Sequence, residues 1–128
     1  MLEGATTHPM IAVKDLDVAK DFYSGQLGLR IGDERFGTAV RYETAEGTWF
    51  FLYRSENAGT AKSTYMRFEV DAIVSVVSAL RDPGVVFEEY DLPGLKTVGG
   101  IAVHESGARG AWFKDPDGNI LEIGQYGS

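Results

Sequence analysis

The sequence predicts a strand-rich α+β domain made of two copies of one unit. Three observations carry this. The 128 residues suffice for one core and not for two. Sixteen glycines occur with many aromatic and β-branched residues, the composition of strands joined by tight turns. The order strand, helix, strands then occurs twice along the chain.

The first copy opens on the apolar run His8 to Val13 (HPMIAV), a strand. Asp15 or Asp17 caps a helix reaching about Gln26, with Val18 and Phe22 on one face and Gly28 as its stop. Leu29 to Phe36, Thr38 to Glu43 and Thr48 to Arg54 complete it as strands, the last two joined by a turn at Ala45-Glu46-Gly47. Ser55 to Ser63 is small and polar, and near the middle of the chain. The second copy has a strand at Thr64 to Val70, a helix capped by Asp71 and running through Leu80, and a break at Asp82-Pro83-Gly84. Val85 to Tyr90 is expected as a strand, followed by Ile101 to His104 or Gly110 to Lys114. The turn Asp115-Pro116-Asp117-Gly118 leads into a last strand, Ile120 to Gly124. A shift of 57 lays His8 on Tyr65 and Val13 on Val70, and a shift of 71 lays Gly47 on Gly118. Repeats of that length point to a duplicated supersecondary unit.

Charge and rare residues narrow the function. Nineteen acidic against twelve basic residues leave a net charge of −7, which disfavours nucleic acid and anionic membranes as partners. The chain has no cysteine, so thiolate sites and cysteine nucleophiles are excluded, and its two histidines cannot supply a three-histidine zinc site. No bilayer-length apolar run or signal peptide is legible, so a cytoplasmic location is expected.

Two stretches resemble a known superfamily. His8 to Leu29 (HPMIAVKDLDVAKDFYSGQLGL) is similar to the opening of vicinal oxygen chelate proteins, and Asp115 to Ile123 (DPDGNILEI) to their closing hairpin. That superfamily includes glyoxalase I, extradiol dioxygenases, fosfomycin-modifying enzymes and bleomycin-resistance binding proteins. The resemblance implies a single domain over 1–128 with two βαβββ modules, about 6–56 and 63–126. They would form a curved mixed sheet around a cleft, with helices on the outer face and a homodimer completing it.

Strand alternation sorts the side chains. His8, Met10 and Ala12 face the cleft, as do Tyr65, Arg67 and Glu69, while Pro9, Ile11, Val13, Met66, Phe68 and Val70 lie under helices. A four-residue loop opposes Lys114 to Asn119, which puts Ala111, Phe113, Ile120 and Glu122 on the cleft face and Trp112 under the helix. The same pairing in the first copy sends Val40, Tyr42, Trp49, Phe51 and Tyr53 to the cleft. The resemblance places metal ligands at His8, Phe51, Tyr65 and Glu122. Phe51 cannot ligate, and a phenol with pKa about 10 binds poorly at neutral pH, so a divalent ion (Fe, Mn, Zn or Ni) would rest on His8, Tyr65 and Glu122. The alternative is that His8 and Glu122 form a hydrogen-bonded pair or touch a ligand directly.

His104 follows a glycine-containing loop that could cover a ligand, and could equally be a surface residue. Arg67 could hold a ligand anion or bridge Glu69 or Glu122 internally. Trp49, Phe51, Tyr42 and Phe113 could stack on a planar substrate, or be core or dimer interface. The expected function is binding of a small planar or aromatic molecule in an aromatic cleft, with sequestration or metal-independent chemistry carried by His8, Tyr65 and Glu122. The alternatives are a metal-dependent dioxygenase, lyase or fosfomycin-type transferase using the same three residues, and a pure assembly surface.

Overall fold

A computed structural model describes residues 1–35 and 39–127. Phe36 and Thr38, at the ends of two expected strands, lie outside the described residues. The described residues form two mixed sheets and two helices. Strand β1 (Met10–Val13) leads to helix α1 (Leu16–Lys20), which runs on into a π-helical stretch over Asp21–Gln26. Strands β2 (Arg30–Arg35), β3 (Ala39–Glu43) and β4 (Trp49–Arg54) complete a four-stranded sheet in the order β1-β4-β3-β2. Asp15 is the helix cap, its carboxylate accepting from Asp17 N at 2.9 Å and Val18 N at 3.2 Å. Gly28 ends the helical run at φ 71°.

The second copy holds β5 (Thr64–Glu69), α2 (Ile73–Arg81), β6 (Asp91–Leu92), β7 (Leu95–Val98), β8 (Ile101–Val103), β9 (Arg109–Lys114) and β10 (Ile120–Gln125). Its sheet has six strands in the order β5-β10-β9-β8-β7-β6. Three local expectations are corrected. Asp71 does not cap α2; the Gln125 carboxamide accepts the Ile73 N–H at 2.8 Å from across the fold. Residues 85–90 form no full strand and touch the sheet through the Phe87–Phe113 bridge and the Glu88 N–H donating to Trp112 O at 2.7 Å. The expected covering loop is instead the β7–β8 hairpin, turned at Gly99 and Gly100 with φ of 60° and 82°. Two consecutive residues in the left-handed region give the turn whose twist matches paired strands.

One core serves both copies. It joins Ile11, Val13, Val40, Tyr42, Phe50 and Leu52 of the first sheet to Ala111, Phe113, Leu121 and Ile123 of the second, with Phe22, Tyr23, Ile73 and Val77 from the helices. Phe22 lies against Phe113, with ring centroids 6.2 Å apart. A buried polar knot ties the copies together. The Tyr23 hydroxyl donates to Asp115 Oδ2 at 2.8 Å, and Asn119 Nδ2 donates to Ala12 O and Asp115 Oδ2, each at 2.8 Å. Burial pushes the Asp115 carboxyl up, against the pull of its donors Asn119 and Tyr23. Burial, then the neighbouring Asp115 charge, raises the Tyr23 phenol, so it stays a donor. No described helix is long and apolar enough to cross a membrane.

Candidate functional site

The register of the two hairpins decides which side chains leave the core. In the β9–β10 pair Lys114 faces Ile120, Phe113 faces Leu121 and Trp112 faces Glu122, one residue out of step with the expected pairing. The cause is Asn119. Its N–H donates to Asp115 Oδ1 at 2.9 Å and its carboxamide turns inward, so it belongs to the turn and not to the strand. A one-residue slip exchanges the two faces. Phe113 is therefore fully buried in the core, with Ala111, and Trp112 takes the outward face beside Glu122. The same correction holds in the first sheet. Tyr42 pairs with Phe50 and Val40 with Leu52, all buried, while Arg41, Glu43, Trp49, Phe51 and Tyr53 share the outward face.

Tyr65 is the third correction. Between Ile120 and Leu121 the β5–β10 register shifts, so that Ile120 pairs with Thr64 and Leu121 with Met66, leaving Tyr65 as the extra residue of a bulge. A bulge re-aims its side chain, and the Tyr65 ring is half-buried against the core. Arg67, Glu69 and Glu122 keep the outward face that alternation assigns them.

On the first sheet, His8 stacks on Trp49 with centroids 3.8 Å apart and planes 11° off parallel. The Arg41 guanidinium stands 4.8 Å from the Trp49 ring centre and bonds Glu43 at 2.6 Å. His8 Nδ1 lies 3.3 Å from Trp49 O, a pure acceptor to which it donates, and Nε2 lies 3.0 Å from the Thr6 hydroxyl. No hydrogen bond, ion pair or ring contact joins any two of His8, Tyr65 and Glu122 among the described residues. The expected His8–Glu122 pair is thus replaced by two separate partnerships, His8 with Trp49 and Glu122 with Arg67.

On the second sheet, Arg67 is held from several directions. Its Nε–H donates to Glu69 Oε1 at 2.8 Å, Nη2 to Glu69 Oε2 at 3.5 Å and Nη1 to Glu122 Oε2 at 3.1 Å. Its guanidinium also lies 5.4 Å from the Tyr126 ring centre and flat across Gly124, where a Cβ would collide with it. Gly110 makes the same allowance for its neighbours, since a Cβ there would stand 2.7 Å from Glu122 Oε2 and 3.0 Å from the Trp112 ring. Tyr90 meets Trp112 edge-on at 5.7 Å. Burial raises the Glu122 carboxyl and Arg67 opposes that rise, whereas hydrogen bonding to Glu69 raises the Arg67 value. His104 Nδ1 accepts from Ser106 N at 3.1 Å, which leaves Nε2 as the ring's second position.

Arg67 is a wall of two hollows. One, of about 290 Å³, also holds Glu122, Trp112, His104, Gly110 and Lys96. The other, of about 420 Å³, holds Trp49, Glu69, Pro9, Leu29 and Phe68. Of the residues expected at a site, Trp49, Arg67, Glu69, Glu122 and His104 line these hollows. His8 reaches them through its stack on Trp49, while Phe51, Tyr65, Tyr42 and Phe113 are in neither lining. Trp112, Tyr90, Gly110 and Gly124 were missed. The two strand glycines were the available signal, because each shares a face with Glu122.

For a divalent ion the donor set does not fit. Phe51 has no donor atom, Tyr65 sits in a bulge against the core, the Glu122 carboxylate is engaged by Arg67, and His8 Nε2 takes the Thr6 hydroxyl. Among the described residues no three of His, Asp or Glu converge.

The fold has many solved relatives. A glyoxalase / bleomycin resistance protein from Catenulispora acidiphila superposes with TM-score 0.72 at 21% identity, covering 94% of this chain and 96% of that one. A bleomycin resistance determinant encoded on the transposon Tn5 gives 0.72 at 16%, covering 94% and 97%. The antibiotic binding protein TnmS3 from a Streptomyces species gives 0.62 at 19%, covering 94% and 96%. At such identities the likeness is one of fold. A comparison with curated protein sequences finds no match. The sequence profile of one family matches residues 6–123, nearly the whole chain, and the protein therefore belongs to the Glyoxalase/Bleomycin resistance protein/Dioxygenase superfamily.

Proposed function

We propose that this protein binds a small planar aromatic molecule in the hollows that meet at Arg67. The observation carrying this reading is the Arg67 cluster: a guanidinium braced by Glu69 and Glu122, with Trp112 in one adjoining hollow and Trp49 in the other. A fixed polar group between two half-buried tryptophan rings suits orientation of a flat ligand. A protein of the same fold, TnmS3, is an antibiotic binding protein, which supports binding as the activity. Sequestration needs nothing further, and no chemical step is assigned to His8, Tyr65 or Glu122.

A second copy of the chain is the proposed partner. Among the described residues β1 pairs with no strand but β4 and β5 with none but β10, so each sheet ends on a strand with one unpaired side, and Met10 is half exposed on the first of them. Light scattering after gel filtration reads this directly, and a monomer at all concentrations refutes it. The binding itself is tested by titrating Trp49 and Trp112 fluorescence with uncharged polycyclic aromatic compounds. A saturable change, weakened about tenfold in Arg67→Ala, supports the reading. No saturable response to any compound overturns it.

A further inference from the structure

We infer that the molecule held at Arg67 is uncharged there and presents a carbonyl oxygen to the guanidinium. This rests on the reading above and names the ligand class of the same site. A guanidinium carries five N–H donors and no acceptor. Glu69 and Glu122 take three of them, at 2.8, 3.5 and 3.1 Å, and two remain without an acceptor among the described residues. Arg67 lines both hollows and its side chain is about a third exposed, so a molecule bound in either hollow can reach its remaining N–H donors.

The charge around that donor selects the acceptor. One guanidinium stands between two carboxylates, both within ion-pair distance, so the cluster as a whole carries excess negative charge. A ligand carboxylate or phosphate approaching Arg67 would also approach Glu69 and Glu122, and like charges at that range repel. The chain's net charge of −7 acts in the same direction at longer range. A ketone, amide or quinone oxygen accepts the same N–H groups without that repulsion. Lys96, an exposed residue of the same lining, has the opposite effect but lies on β7, three strands away from β10. Arg109 also borders that hollow, but by alternation its side chain shares the face of Ala111 and Phe113, opposite to Trp112.

The test is calorimetric titration of the intact protein with three matched flat molecules: fluorene, 9-fluorenone and 9-fluorenone-2-carboxylate. The expected order is fluorenone tightest, fluorene about fivefold weaker for want of the carbonyl, and the carboxylate about tenfold weaker than fluorenone. Arg67→Gln brings fluorenone down to the level of fluorene. Glu122→Gln raises the affinity of the carboxylate relative to fluorenone several-fold, a charge-dependent change in selectivity that a merely structural role for Glu122 would not produce. Fluorene binding as tightly as fluorenone, or the carboxylate binding tightest, overturns the inference and leaves aromatic binding standing. Absence of binding by all three refutes the aromatic reading as well.

Discussion

Replacing Tyr23 by Phe removes one oxygen from the middle of the fold. That hydroxyl donates to Asp115 Oδ2 at 2.8 Å; Tyr23 is fully buried and Asp115 is 5% exposed. The ring contacts with Phe22, Tyr42 and Phe50 involve no hydroxyl and are retained in the variant. Asp115 keeps three other donors, Asn119 Nδ2 at 2.8 Å and the N–H groups of Asn119 and Asp117 at 2.9 Å. The loss is therefore that of one hydrogen bond to a buried charge, about 1.5–3 kcal/mol. For a chain of this length that corresponds to a fall in Tm of roughly 5–15 °C. The sign with pH follows from the direction of the Asp115 shift. Burial raises its carboxyl and the Tyr23 hydroxyl pulls against that rise by favouring the ionised form. The stabilisation by Tyr23 is present while Asp115 is ionised and disappears as the pH falls through the Asp115 value. Urea denaturation of wild type and Tyr23→Phe at neutral and acid pH measures both features. A deficit below about 0.5 kcal/mol at neutral pH, or one that grows in acid, refutes the argument.

Three further outcomes are expected. Phe113→Ala should cost about 3–5 kcal/mol in chemical denaturation, as a fully buried ring does, whereas the half-buried Phe51→Ala should cost about 1 kcal/mol; equal costs contradict the register. Gly124→Ala should drive the Arg67 guanidinium off its seat, destabilising the fold by about 1–3 kcal/mol and weakening aromatic binding; an unchanged Arg67 Nε–H resonance in NMR would contradict the contact. Arg67→Gln should raise the Glu122 titration midpoint, since burial and the Glu69 charge then act unopposed; carboxyl carbon NMR reads the direction, and a fall is the contrary result.

Much of the architecture is legible in the chain because local signals agree with it. The Asp15 cap, the Gly28 stop and the alternation of Ile11 and Val13 with Met10 each have a local physical cause. Alternation along β5 likewise keeps Arg67 and Glu69 on one face, beside Glu122 of β10. The failures share another cause, contacts between residues distant in sequence. Asn119 enters its turn because Ala12 O and the Gly59 N–H await its carboxamide, 107 and 60 residues away, and that one residue moves Phe113 inward and Trp112 outward. The bulge at Tyr65 and the Gln125 cap of α2 likewise depend on β10 docking against β5. No window of neighbouring residues contains them.

The shared core has a consequence for how the chain can be divided. Each half would carry its sheet with the inner face bare: Tyr42, Phe50 and Leu52 in one piece, Phe113, Leu121 and Ile123 in the other. Cleaved within the polar connector at 56–63, neither fragment has enough hydrophobic surface covered to fold alone. Mixed together, they should reassemble through the Tyr23–Asp115 and Asn119–Ala12 bonds. With one core built across a doubled pattern, the two fragments are natural halves for complementation.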